Sequence, residues 1–61
     1  MKIKCIDNRY VIKYLSVNKI YTVIEEYKIS YNIVDDKNEK RTFSKKRFIT
    51  VKEWLKWLEV N

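Results

Sequence analysis

Hydrophobic and polar residues alternate over several short stretches of the chain, and this alternation predicts β-strands. The pattern runs through Met1–Asp7, and Ile20–Glu26 is rich in the β-branched and aromatic residues that strands favour. Lys28–Val34 alternates most regularly, which predicts a half-buried strand with Ile29 on its buried face. Tyr10–Tyr14 is apolar but short, and it fits a strand end or a packed loop. This part of the chain therefore predicts three strands and one unassigned segment.

A polar segment separates these strands from a second group. Asp35–Glu39 contains the residue types of a hairpin turn, and Lys40–Ser44 follows as the return strand. A short polar turn then leads to Phe48–Ile49, where the apolar pattern resumes. Phe43 is the one large apolar residue of its strand. We therefore expect Phe43 and Phe48 to lie in the core.

The spacing of apolar residues becomes helical at the C-terminus. Thr50 followed by Glu53 forms a capping box, which marks the start of a helix. Apolar residues then fall at i, i+3, i+4 and i+7 on one stripe: Val51, Trp54, Leu55 and Leu58. This pattern predicts a helix over Val51–Val60, with its stripe closing one open end or face of the sheet. Five short strands and this helix predict one mainly β domain over residues 1–61, built as a small, highly curved barrel.

The composition changes the picture of the turns. The chain has 61 residues and contains neither glycine nor proline. Tight turns normally use glycine for positive φ angles, so Asn and Asp must supply them here, as at Asn18 and Asn38. A domain of this size buries only about 60% of the surface that its unfolded chain exposes. Its stability is therefore marginal unless a partner or a second copy contributes.

Residue types that build common catalytic and metal sites are scarce. With no histidine and a single cysteine, Cys5, the chain offers no zinc ligand set and no intramolecular disulfide. The apolar strand pattern around Cys5 favours a buried side chain over a reactive thiol. Glu25–Glu26 and Asp35–Asp36 are acidic pairs, but neighbouring strand residues point to opposite faces. We therefore expect a non-enzymatic protein with no catalytic, metal-binding or cofactor-binding residues and no cofactors.

The positive charge is concentrated in one part of the sequence. The net charge is +6, and five basic residues supply most of it: Lys40, Arg41, Lys45, Lys46 and Arg47. Such a run favours contact with nucleic acid or an acidic protein, and a solvated surface explains it about equally well. Trp57 lies at the flank of the helical stripe, where it either anchors a partner or covers the barrel rim. These six residues are the predicted partner- or nucleic-acid-binding residues.

Four stretches together resemble a known family: Cys5–Asn8, Leu15–Glu26, Tyr31–Glu39 and Phe43–Phe48. They resemble very small SH3-like barrel proteins that are common in phages and prophages of low-GC Gram-positive bacteria. The family pattern has glycine where Asn18 stands and another glycine after Asn38, where this chain has Glu39. The resemblance spans residues 2–49 and implies a five-stranded SH3-like barrel without a catalytic motif. The C-terminal helix is an addition to that barrel.

The expected function is non-catalytic binding of one macromolecular partner in the cytoplasm. The resemblance implies a bacterial host cytoplasm and, as a natural role, stoichiometric inhibition of a host or defence complex such as a CRISPR-type ribonucleoprotein. The alternative is a nucleic-acid-binding small barrel that places its basic hairpin on phosphates. A homodimer formed through an open strand edge or Trp57 is compatible with both. No membrane partner is expected, because the chain has no signal-peptide pattern and no apolar run of membrane-spanning length.

Overall fold

The computed structural model describes residues 1–60 of the chain. It contains five strands, a single turn of 3₁₀ helix and one α-helix. The strands are β1 (Lys2–Cys5), β2 (Ile20–Glu26), β3 (Ser30–Val34), β4 (Lys40–Ser44) and β5 (Phe48–Thr50). The 3₁₀ turn is Lys45–Arg47 and helix α1 is Val51–Val60. The mainly β class, the five strands and the C-terminal helix are therefore confirmed.

The strands form one antiparallel sheet in the order β4-β3-β2-β1-β5, and this sheet is open between β4 and β5. A register shift between Val23 and Glu25 in β2 marks a bulge, which increases the local twist of the sheet. The curled edges approach each other across the core, where the rings of Phe43 and Phe48 lie 6.5 Å apart. The 3₁₀ turn joins β4 to β5 without backbone pairing between them. The predicted barrel is therefore a strongly curled but open sheet.

The core lies on the concave side of this sheet. Phe48 stands at its centre, because its ring also makes edge-on contacts with Tyr21 and Tyr31 at 6.3 and 5.9 Å. Such edge-to-face contacts stabilise aromatic pairs beyond the effect of burial alone. The buried hydrophobic residues are Ile3, Cys5, Leu15, Tyr21, Tyr31, Ile33, Phe43 and Phe48. The predicted core positions of Phe43 and Phe48 and the predicted burial of Cys5 are confirmed.

Asparagine takes the place of glycine at two turns, as the sequence predicts. Asn18 has φ 73° in the turn closed by the hydrogen bond from Lys19 N to Ser16 O. Asn38 has φ 62° at the end of the β3–β4 hairpin loop. Asparagine is among the few residues that adopt this conformation readily, since its short polar side chain bonds locally. The absence of glycine therefore leaves these two connections intact.

Ile29 departs from the predicted pattern. It is 75% exposed, because it lies in the tight turn between β2 and β3 and not within a strand. The hydrogen bond from Tyr27 N to Ser30 O closes this turn at 2.9 Å. The alternation of β3 begins only at Ser30, so Ile29 does not share the buried face of Tyr31. The local pattern placed the strand start two residues too early.

Helix α1 begins as predicted. The Thr50 hydroxyl accepts a hydrogen bond from Glu53 N at 3.1 Å and donates one to Glu53 Oε1 at 2.9 Å, which caps the first turn. The helix packs on β1 and β5, and the ammonium of Lys4 lies 4.0 Å from the centre of the Trp54 ring. Within residues 1–60 there is no helix long and apolar enough to cross a membrane.

The apolar stripe of α1 is only partly covered. Val51 and Trp54 are half-buried, whereas Leu55 and Leu58 are 49% and 48% exposed. Strands β1 and β5 have only four and three residues, so this edge of the sheet is too short to cover a ten-residue helix about 15 Å long. The prediction that the stripe closes an end or face of the sheet therefore holds for its first turn alone.

Candidate functional site

The five predicted basic residues do not form one patch. Lys40 and Arg41 lie at the start of β4, and Lys45–Arg47 follows its end. A strand of this length separates the two groups by about 13 Å. These residues are close in sequence, but they lie at two separate places on the sheet.

Arg41 is held by its own chain. Its Nε lies 2.6 Å from Oδ2 of Asp35, whose side chain is fully buried, and its guanidinium lies 4.2 Å from the centre of the Tyr14 ring. The N–H does not point along the line to the oxygen, so the contact is an ion pair without a well-aligned hydrogen bond. Asp35 also accepts hydrogen bonds from the backbone N–H groups of Lys37 and Glu39. The guanidinium of Arg41 is therefore engaged by Asp35 in the hairpin turn.

Two more of the basic residues have intramolecular partners. Lys45 Nζ forms an ion pair with Glu26 Oε2 at 2.7 Å. Arg47 Nη1 donates hydrogen bonds to the carbonyl oxygens of Arg9 at 2.7 Å and Asp7 at 3.4 Å. Lys40 and Lys46 have no ion pair with any other residue in the described part of the chain. Of the predicted basic residues, these two lysines are the ones without an ion-pair partner among the described residues, which leaves them accessible to an external partner.

Trp57 is displayed on the outside of α1. Its side chain is 63% exposed, and the half-exposed Leu55 and Leu58 belong to the same part of the helix. We call Leu55, Trp57 and Leu58 the helix surface. Around the helix, Trp57 lies about 100° from Leu58 on one flank of the stripe, and Leu55 lies on the other flank, about 160° from Trp57. Exposed apolar patches mark interaction sites more often than single exposed residues do. The binding role of Trp57 stays a prediction.

A second exposed region lies in the segment that the sequence pattern left unassigned. Residues 8–11 form a turn closed by the hydrogen bond from Val11 N to Asn8 O at 3.0 Å. Its third residue, Tyr10, has φ 68°. This is the position at which turns of type II require glycine or asparagine. For an L-residue with a large side chain the left-handed conformation costs roughly 1–2 kcal/mol.

The side chain of Tyr10 does nothing inside the protein to offset that cost. It is 97% exposed, and within residues 1–60 its ring makes no hydrogen bond or ring contact. Backbone conformations of this kind persist where the surrounding structure enforces them, and they are concentrated at functional sites. Tyr10 therefore combines a strained backbone conformation with an almost fully exposed side chain.

The turn around Tyr10 is fixed by charged hydrogen bonds. Arg9 Nη2 donates to Asp7 Oδ2 at 2.9 Å, and Arg9 N donates to Asp7 Oδ1 at the same distance. The hydrogen bonds from the side chain and backbone of Arg9 lower the pKa of Asp7 to about 2. Asn8 Nδ2 donates to Leu15 O at 3.0 Å, and Arg47 binds the carbonyl oxygens of Asp7 and Arg9. These hydrogen bonds therefore connect the turn to Asp7, Leu15 and the 3₁₀ turn.

The far end of the same loop is tied to the β3–β4 hairpin by a polar network. Tyr21 Oη donates to Asp36 Oδ1 at 2.8 Å and accepts from Ser16 N at 2.8 Å, and Lys19 Nζ lies 2.7 Å from Asp36 Oδ1. Burial, aided by the Asp36 carboxylate, raises the pKa of Tyr21 to about 12. Burial by itself would raise the pKa of Asp36. The hydrogen bonds from Lys19, Ser16 and Tyr21 outweigh this effect, so the pKa of Asp36 is lowered.

Two adjoining clefts flank the turn. One includes Tyr10 together with Asp7, Arg9, Ser44, Lys46 and Arg47. The other shares three of these residues and adds two exposed apolar side chains, Ile6 and Val17. We call Ile6, Tyr10, Val17 and Lys46 the loop surface. Among the described residues there is no group of three carboxylate or thiol side chains placed to share a metal ion.

The sequence pattern pointed to only one member of the loop surface, Lys46. Asp7-Asn8 indicated a turn, but the positive φ angle fell on Tyr10, a residue type that propensity places in strands. Arg47, which is distant in sequence, donates a hydrogen bond to the carbonyl oxygen of Arg9, directly before Tyr10. The one local signal was the run of turn residues directly before an aromatic residue.

The chain was also compared with known proteins. No protein-family model, no curated protein and no solved structure matches it.

Proposed function

We propose that this chain is a non-catalytic binding protein that docks on one protein partner through the helix surface. The observation that supports this proposal is the apolar stripe of α1, which continues past the edge of the sheet with Leu55 and Leu58 half exposed and Trp57 beside them. Tryptophan is enriched among the residues that carry the binding energy of protein interfaces. A partner surface that covers this stripe would also help to hold the short helix in place.

The placement of charges favours a protein partner over nucleic acid. Binding to phosphates needs a set of cations that face the same backbone. Here Arg41, Lys45 and Arg47 form intramolecular contacts, and the two ends of β4 separate the remaining lysines. Since the chain carries a net charge of +6 and opposite charges speed association, we propose that the partner surface is acidic.

The family resemblance adds a biological setting to this proposal. A phage protein of this size that binds a bacterial host or defence complex would act as a stoichiometric inhibitor. Because the resemblance implies no catalytic motif, we propose that the protein acts by blocking its target rather than by catalysis. This part of the proposal rests on the resemblance alone.

Capture from a bacterial lysate tests the proposal. The tagged 61-residue chain is expected to retain one protein in a one-to-one complex at moderate salt. The Trp57→Ala variant should weaken this complex by about tenfold or more. Lys56→Ala is the matched control, because Lys56 is exposed on the same helix outside the helix surface, and it should retain the partner.

Three results would overturn the proposal. The first is the absence of any stoichiometric complex, and the second is a complex that Trp57→Ala leaves unchanged. The third is a homodimer that is stable in sedimentation experiments, that Trp57→Ala dissociates and that retains no other protein. Binding to mixed single- and double-stranded nucleic acid is measured in parallel across a salt series. Affinity that falls steeply with salt and needs Lys40 and Lys46 would favour the nucleic-acid function instead.

A further inference from the structure

We infer that the loop surface is a second docking element, built to take an acidic segment of a protein partner. Tyr10 is the anchor, Lys46 pairs with a carboxylate of the partner, and Ile6 and Val17 receive an adjacent apolar side chain. This inference rests on the proposed function and names the chemistry of its partner. It concerns a surface separate from the helix surface, so the two can fail independently.

Two turns of the chain share one backbone conformation but carry different residue types at the same position. Asn18 and Tyr10 occupy the same position of two turns, with φ 73° and 68°. At position 18 the residue is one that the backbone tolerates, whereas at position 10 it is an aromatic residue that the backbone disfavours. In the described structure, packing of the Tyr10 ring does not offset this backbone cost, because 97% of the residue is exposed. An external contact is the physical reason for a tyrosine at this position.

The loop around Tyr10 is also held by hydrogen bonds from several directions. Asp7, Arg9 and Arg47 form a connected set of hydrogen bonds around the turn, and Asn8 ties it to Leu15. A partner therefore meets a tyrosine whose backbone is already ordered. Less conformational entropy is lost on binding when the contact residue is held in advance.

The surroundings of Tyr10 decide the chemistry of the occupant. Asp7 is the acidic residue that lines the clefts, and it is engaged by Arg9 and Arg47. Lys46 lines both clefts and has no ion pair within the described residues, so it is the cation left for a ligand. Ile6 and Val17 are exposed beside it, and apolar aliphatic side chains fit a protein side chain better than a nucleotide.

Peptide display tests this inference. Random linear peptides are selected for binding to the immobilised 61-residue chain. Selected peptides are expected to share an aspartate or glutamate next to an apolar residue. Their affinities are then measured by calorimetry for the wild type and the variants. Tyr10→Asn and Lys46→Glu should each weaken binding by about tenfold or more. Tyr10→Phe keeps the aromatic ring and should bind like the wild type.

Two controls separate binding from folding and from overall charge. Asparagine tolerates positive φ, so Tyr10→Asn should melt at the same temperature as the wild type or a few degrees higher. Lys2→Glu reverses a charge at the far end of β1, on an exposed residue, and should leave peptide affinity within about twofold.

Several outcomes would overturn the inference. They are a selection without acidic peptides, peptide binding that tolerates Tyr10→Asn, and peptide binding that depends on Trp57 instead. A single-stranded oligothymidylate that binds with the same dependence on Tyr10 and Lys46 would assign the loop surface to nucleic acid. A lysate partner that is lost with Trp57→Ala but kept with Tyr10→Asn would leave the proposed function standing and remove this inference.

Discussion

Arg47 Nη1 donates a hydrogen bond to the carbonyl oxygen of Arg9 at 2.7 Å, across 38 positions of the chain. The same guanidinium reaches the carbonyl oxygen of Asp7 and lies 3.8 Å from its carboxylate. One cation from the 3₁₀ turn therefore holds the loop after β1 against the connection between β4 and β5. Charged hydrogen bonds of this kind contribute more to stability than neutral ones.

Arg47→Ala should lower the free energy of unfolding by about 1–3 kcal/mol, because it removes these hydrogen bonds and leaves two carbonyl groups without that donor. The measurement is chemical denaturation followed by circular dichroism. Lys46→Ala removes the same charge from the neighbouring position, where no ion pair is present within residues 1–60, and should change stability by about 0.5 kcal/mol or less. Equal losses in the two variants would show that net charge, and not the Arg47 contacts, stabilises the loop.

Asp7 should make the protein sensitive to acid. Its pKa is lowered from 3.8 to about 2 by the hydrogen bonds from Arg9, so the folded state binds the proton more weakly than the unfolded state does. The stability that this carboxylate contributes is present above pH 4 and is lost as the pH falls from about 4 towards about 2. Denaturation curves measured over this range should therefore show a steeper loss for the wild type than for Asp7→Asn.

The control for this experiment is Glu59→Gln, which removes a carboxylate without an ion pair in the described part of the chain. It should follow the wild-type acid profile. If Asp7→Asn also follows that profile, the contact with Arg9 does not contribute to stability in solution.

Tyr21 should stabilise the fold through its hydroxyl as well as its ring. Tyr21→Phe leaves Ser16 N without its acceptor and Asp36 without one of its donors. The expected loss is about 1–2 kcal/mol in the free energy of unfolding at neutral pH. Tyr10→Phe is the matched control and should have no effect, because the exposed Tyr10 hydroxyl makes no hydrogen bond within residues 1–60.

The difference in the free energy of unfolding between the wild type and Tyr21→Phe should become smaller at alkaline pH. Burial raises the pKa of Tyr21 from 10.0 to about 12, so the folded state holds the phenol proton more tightly than the unfolded state. That contribution is fully present below pH 10 and is lost as the pH rises from about 10 towards about 12. A difference between the two proteins that stays constant over this range would contradict the buried position of the hydroxyl.

Cys5 should react with thiol reagents only after the protein opens. The side chain has no exposed surface, and burial raises the pKa of its thiol. The reaction with a disulfide reagent at pH 8 should be at least roughly a hundredfold slower in the native protein than in guanidinium chloride. Glutathione under both conditions corrects for the effect of the denaturant on the reagent. Similar rates for Cys5 in both states would mean that β1 is not packed in solution.

The positions of the strands and the helix followed from local patterns. Ile20–Glu26 has strand propensity in its own residues, and Thr50 with Glu53 caps the helix through groups only three positions apart. Asn18 and Asn38 have the positive φ angles that a chain without glycine requires. Ile29 was misplaced because alternation alone does not show where a tight turn ends and a strand begins.

The binding surfaces followed much less from the sequence. Lys40–Arg47 looked like one basic cluster, but Arg41 and Lys45 face partners that the strand pairing brings to them. Tyr10 belonged to a segment with no clear period, and the hydrogen bond that reaches the carbonyl group before it comes from Arg47, 38 positions away from Arg9. None of these contacts can be read from the spacing of residues over a few positions of the sequence.

The sequence by itself determined the mainly β class, the approximate element boundaries and the core aromatics, because periodicity, capping and turn preference act within a few residues. The tertiary structure alone decided that the curled sheet stays open, that only the first turn of α1 is covered, and which basic residues form intramolecular ion pairs. These features depend on contacts such as Lys45 with Glu26 and Arg47 with Arg9, 19 and 38 positions apart. Such contacts exist only once the sheet has curled and brought distant side chains together.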